Sequence, residues 1–136
     1  MATVGTLIDT NVLLDVLTEH PVWADWSANA IATCAAGGAL HINSVIYAET
    51  SVGFATPEAF ERMLAASNIA LIEIPRLALF IAGKAFREYR RRGGTRATLL
   101  PDFFIGAHAA VAGMTLLTRD ARRYRTYFPK LRIIAR

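Results

Sequence analysis

Apolar residues recur along this chain in short runs closed by polar turn residues, with longer stretches at helical spacing between them. Val4 to Ile8 is a mostly apolar run that stops at Asp9-Thr10-Asn11, and Val12, Leu13, Leu14 and Leu17 follow at the spacing of one helical face. This predicts a strand feeding a helix. His20-Pro21 breaks the pattern. Trp23 to Ala36 then reads as an alanine-rich helix closed by Gly37-Gly38, since glycine readily takes the left-handed conformation that ends helices. Leu40 to Ile42 is the second predicted strand. Asn43 and Ser44 are good N-cap residues, so the next helix should run from about Val45 to Ala55 with Glu49 in its second turn. Thr56-Pro57 caps and opens another helix.

Ile69 to Ile74, rich in β-branched residues, reads as a third strand, and Pro75 ends it before an amphipathic helix from Leu77 to about Arg92. Gly93-Gly94 stops that helix and begins a surface loop to Leu100. Pro101 restarts a helix with Asp102 in its first turn and Gly113 near its end, and Thr115 to Thr118 is a last strand closing at Arg119-Asp120. Strands alternate with helices and no hairpin turn occurs. The predicted class is therefore α/β, a three-layer α/β/α arrangement around a central, mainly parallel sheet. With no repeat or linker, the 136 residues are expected to form one domain, 1–136.

Composition sharpens this outline. Met1 to Thr3 carries no basic segment and the first apolar run meets Asp9 early, so no signal peptide is expected. The most apolar long stretch, Phe103 to Leu117, is shorter than the roughly 20 residues of a membrane span and reads as a buried helix running into a buried strand. One cysteine, Cys34, excludes an internal disulfide and a thiolate-rich zinc site. Together these features predict a cytoplasmic location and no membrane association. The net charge of +4 conceals a division: residues 1–75 hold eight acids and one base, Arg62, whereas residues 76–136 hold fourteen bases and three acids. The basic half suits a polyanion such as nucleic acid, although arginine-rich solvated helix faces account for the same charge.

In an open parallel sheet, functional groups gather beyond the carboxyl ends of the strands. Four acids fall at such places: Asp9 after the first strand, Glu49 early in the helix after the second, Asp102 opening a helix, and Asp120 past the last strand. Singly, each has a simpler reading, as N-caps for Asp9 and Asp120, dipole complementation for Asp102 and a solvent-facing position for Glu49. Their apolar flanks, LLI, SVIYA, TLLP and MTLLT, point instead to a buried meeting place. Two carboxylates 4 Å apart repel by about 4 kcal/mol at an effective dielectric of 20, so a cation must compensate or some must protonate. Oxygen-only ligands select Mg2+ or Mn2+ over zinc, and such an ion can activate water against a phosphodiester. His20, His41 and His108 lack ligand spacing. No GxSxG, GxxxxGK[ST], HExxH or strand-linked GxGxxG motif is present.

The blocks LIDTNVLLD, NSVIYAE, LPDFFIGAHA and LLTRDARRY, in this order, closely resemble the PIN domain, in particular VapC-type toxins of bacterial toxin–antitoxin pairs. The resemblance spans essentially the whole chain. It implies an Mg2+-dependent (or Mn2+-dependent) endoribonuclease. Asp9, Glu49, Asp102 and Asp120 would form its acidic quartet, Asp9 and Asp102 would meet the metal, and Asn11 and Thr118 would orient the acids. It also implies a homodimer held inactive by a cognate antitoxin. Arg96, Arg119, Arg122 and Arg123 lie near Asp102 and Asp120 in sequence and are candidates for holding RNA phosphates. Two other functions are compatible with parts of the pattern. One is a haloacid-dehalogenase-like or receiver-like phosphotransfer domain, although Asn11 stands where the former has a second acid; the other is a non-catalytic RNA-binding module.

Overall fold

The computed structural model describes residues 5–136, so Val4 of the expected first strand and the reading of Met1 to Thr3 lie outside the described residues. Strand β1 (Thr6–Ile8) leads into α1 (Thr10–Leu17) and α2 (Ala24–Gly37), then β2 (Leu40–Ile42), α3 (Ser44–Ser51), α4 (Pro57–Ala66) and β3 (Ile69–Leu71). The second half runs through α5 (Arg76–Arg91), a short 3-10 turn (Ala97–Leu99), α6 (Leu100–Ala112), β4 (Thr115–Leu117), α7 (Arg122–Tyr127) and β5 (Ile133–Ile134). The sheet order is β3-β2-β1-β4-β5 and every pairing is parallel.

From β1 the chain steps outward through β2 to β3, then α5 and α6 carry it back across the sheet to β4 on the other side of β1. Right-handed crossovers therefore lay α1 to α4 on one face and α5 to α7 on the other, giving the expected three layers. The central strand is sealed from both sides, with Leu7 and Ile8 fully buried. Its two neighbours, β2 and β4, belong to halves of the chain that run in opposite directions across the sheet. The carboxyl ends of β1 and β4 thus flank the topological switch point, where parallel α/β sheets open a crevice.

Two polar contacts fix the helices around that crevice. Asn43 caps α3 by accepting from the Ile46 amide at 3.0 Å, and its amide group meets His108 Nδ1 on α6 at 3.1 Å. Burial lowers the pKa of His108, which keeps the ring neutral and able to accept from Asn43. On the other side of α6, Gly106 admits the rings of α7: a β-carbon there would stand 2.5 Å from Phe128 and 2.9 Å from Tyr124. That close approach brings α7 over the end of β1.

Several boundaries differ from those expected. β3 stops at Leu71 because its partner β2 is only three residues long; beyond it, the Ile72 amide alone still reaches Ile42 carbonyl oxygen at 2.9 Å. α3 ends at Ser51, four residues early. α7 and β5 were not anticipated.

Candidate functional site

Asp9 is the last residue before α1, and its extended backbone (φ −66°, ψ 149°) marks the switch from strand to helix. Its Oδ1 accepts from the Thr10 amide at 2.8 Å, so the residue caps the helix as well as facing the crevice. Oδ2 accepts from the Thr118 hydroxyl at 2.8 Å and the Tyr124 hydroxyl at 2.9 Å. The side chain is buried, 4% exposed, and none of its hydrogen-bond donors is charged. Burial pushes its pKa up to about 6, the two hydroxyls pull it down, and the nearby charge of Asp102 adds to the rise.

The other three acids line the same cleft, of about 260 Å³, together with Thr10, Asn11, Arg123 and Tyr124. Glu49, on α3, accepts from the Thr10 hydroxyl at 2.6 Å. Asp102, in the first turn of α6, is paired with Arg123 of α7. Burial raises the pKa of Asp102, Arg123 opposes that rise, and the charges of Glu49 and Asp120 reinforce it. Asp120 is exposed at the rim and accepts from the Arg122 amide at 3.3 Å. Asn11 and Thr118 form the connecting layer: the Asn11 carbonyl oxygen accepts from the Arg119 amide at 3.1 Å, and Thr118 accepts from the Asp120 amide at 3.2 Å while donating to Asp9.

Of the four arginines expected at phosphates, Arg123 enters the cleft, and Arg96 and Arg122 are exposed. Arg119 departs from the expectation. Its Nε and Nη2 donate to Asp15 at 2.9 and 3.1 Å, and its guanidinium lies 5.3 Å from the centre of the Trp23 ring. Asp15, itself buried, also accepts from Ser27. Arg119 is therefore a structural tie between α1, α2 and the end of β4, with its planar face already covered.

Sequence reasoning did not assign Thr10, Asp15 or Tyr124. Asp15 had a readable signal, an acid three residues after Val12 and so on the same helical face as that buried residue. Tyr124 had a fainter one, as the buried member of the otherwise charged and polar segment RRYRTY.

The acids present oxygen donors only, which suits a hard dication. Among the described residues, no three carboxylate, imidazole or thiol groups close around a common point, so the acids line the cleft without forming a finished cage. Two features nonetheless fit a cation there: the buried Asp9 has no charged partner, and a guanidinium already stands against Asp102.

A family model, PIN domain, matches residues 6–129. The chain belongs to the PIN-domain family. This PIN domain is also similar in fold to solved structures of low identity. The VapBC2 structure of Rickettsia felis, bound to a promoter DNA fragment, shares 21% identity at a TM-score of 0.72, with 96% of this chain and 98% of that one covered. DNA-bound VapBC of Salmonella typhimurium gives 20% identity and a TM-score of 0.67, covering 97% and 98%. A toxin–antitoxin complex of Klebsiella pneumoniae gives 22% and 0.67, covering 96% of each. The PIN domain has no match among curated proteins.

Proposed function

We propose that this PIN domain is an Mg2+- or Mn2+-dependent endoribonuclease that acts as the toxin of a toxin–antitoxin pair. The observation that carries the reading is the cleft at the switch point, where Asp9, Glu49, Asp102 and Asp120 meet from four separate segments of the chain. Asp9 and Asp102 would hold the ion. Bound there, it would lower the pKa of a water and polarise a phosphodiester oxygen.

The chain's own residues prepare that chemistry. Thr118 and Tyr124 hold the Asp9 carboxylate in one orientation, and Thr10 does the same for Glu49. Arg123 neutralises Asp102 in the present arrangement; with the acids otherwise compensated, its guanidinium is free to hold a phosphate oxygen. Arg122 and Arg96 extend the basic rim for the RNA backbone, while Arg119 contributes position rather than contact.

The partner reading draws on the toxin–antitoxin complex among the similar structures. The exposed Leu77, Leu79 and Phe80 of α5 support a protein-binding face, consistent with a homodimer held by its antitoxin. We place this single domain, residues 1–136, in the cytoplasm; among the described residues, no helix is long and apolar enough to cross a membrane.

The test is induction in cells without antitoxin, followed by mapping of RNA 5′ ends. New ends should appear with the wild type and vanish with Asp9→Asn. No new ends from the wild type, despite Mg2+ or Mn2+, would overturn the toxin reading, and identical ends from the variant would point to a contaminating nuclease.

A further inference from the structure

An ionised carboxylate offers about four acceptor directions, two on each oxygen. At Asp9, Oδ2 uses both of its own, one on Thr118 and one on Tyr124, and Oδ1 uses one on the Thr10 amide. A single direction remains, on Oδ1.

The Tyr124 hydroxyl is costly to place there unless it has this partner. The residue is 3% exposed, and a buried phenol without an acceptor loses the hydrogen bond it makes in water. The ring alone would fill the same space as phenylalanine, so packing does not account for the oxygen. The fold also makes room for the contact. Gly106 of α6 lacks the β-carbon that would stand 2.9 Å from Tyr124 Cδ1, so α7 settles closely enough for the hydroxyl to reach across to the end of β1. Tyr124 thus reaches the cleft by packing on the helix that carries Asp102.

We propose that Tyr124 is a positioning residue for the metal site: with Thr118 it saturates Oδ2 of Asp9, so the carboxylate grips a hard dication through Oδ1 alone and in a fixed direction. This rests on the metal-dependent reading above. It adds a residue whose hydroxyl acts through Asp9 and never touches substrate.

The experiment is a calorimetric Mn2+ titration of the full chain as wild type, Tyr124→Phe and Gly106→Ala, with Asp9→Asn as the non-binding reference and urea melts of the metal-free proteins in parallel. Removing a hydrogen-bond partner of a metal ligand typically weakens metal affinity 10–100-fold, and Tyr124→Phe should raise the Mn2+ Kd by about tenfold. Its urea midpoint should fall modestly, because a buried carboxylate loses one of its donors, so the titration is run where both proteins are folded. Gly106→Ala, whose β-carbon would press on Phe128 at 2.5 Å and on the Tyr124 ring at 2.9 Å, should weaken Mn2+ binding in the same direction. A Tyr124→Phe Kd within about twofold of wild type would overturn the proposal and make the phenol a core residue only. If that variant does not fold, Tyr124→Met, which also removes the hydroxyl, is titrated in its place, and an unchanged Kd overturns the proposal equally. Wild-type protein that binds Mn2+ but leaves RNA uncut would sink the nuclease reading while this inference stood on its own titration; wild type that binds no Mn2+ would sink both.

Discussion

Two aspartates on opposite ends of α1 are buried to nearly the same degree, Asp9 at 4% and Asp15 at 2% exposure, yet their surroundings differ in kind. Asp15 is met by the Arg119 guanidinium through two hydrogen bonds and by Ser27, which leaves its charge compensated. Asp9 is met by an amide and two hydroxyls, which satisfy its geometry but not its charge. A buried ion pair is a completed piece of structure; a buried carboxylate with only neutral donors is stabilised by whatever brings positive charge. The same sequence block therefore contains one acid that holds the fold together and one whose uncompensated burial works against it.

The largest effect should come from exchanging the fates of the two acids. Asp15→Ala leaves Arg119 without its partner and should cost about 3 kcal/mol, the lower end of the range for breaking buried pairs because the arginine is partly exposed. Asp9→Asn should leave the metal-free protein as stable as wild type or more so at neutral pH, while abolishing RNA cleavage. Urea melts in chelator, set beside cleavage assays, measure both, and a destabilised Asp9→Asn would erase the contrast.

A smaller effect should appear with pH. Because burial lifts the Asp9 pKa from 3.8 to about 6, the folded state holds more protons than the unfolded state between these values. Stability contributed by this group therefore falls as pH rises through that window. The metal-free protein should lose on the order of 1 kcal/mol from Asp9 between pH 5 and 7.5. Asp9→Asn should flatten that part of the profile, and saturating Mn2+ should offset it. A wild-type and an Asp9→Asn profile of the same slope would remove Asp9 as its source.

The smallest effect concerns the arginines. In RNA binding by an uncleaving Asp9→Asn protein, Arg122→Gln should lower the slope of log affinity against log salt by about 1, as for one lost phosphate contact. Arg119→Gln should leave the slope unchanged, because its guanidinium is engaged by Asp15. Equal losses from both would contradict the separation drawn between them.

The parts of this fold that were legible beforehand are those decided by neighbours in sequence. β2 was predicted at Leu40–Ile42, the residues it occupies, because it lies between a glycine stop and the Asn43 cap. Asp9, Asp102 and Asp120 stood out because each follows a strand or opens a helix, and Glu49 because it lies in the helix that follows β2. α7 was hidden in RRYRTY, whose one buried residue gives no periodicity, and β5 is a two-residue edge strand recognisable only by its pairing with β4. The contacts of Tyr124, Thr10 and Asp15 join residues 115, 39 and 104 positions apart, to Asp9, Glu49 and Arg119 respectively, so local patterns carry no trace of them. The pairing of Arg119 with Asp15 was hidden for the same reason: its nearness to Asp120 in sequence gave no hint of it.

The order of strands also has a bearing on how such a chain is made. Within this domain Asp9 is made well before its neighbour strand β4 and its hydroxyl partners Thr118 and Tyr124. Until those segments have been made, the crevice lacks one of its walls and the Asp9 carboxylate lacks both hydroxyl donors.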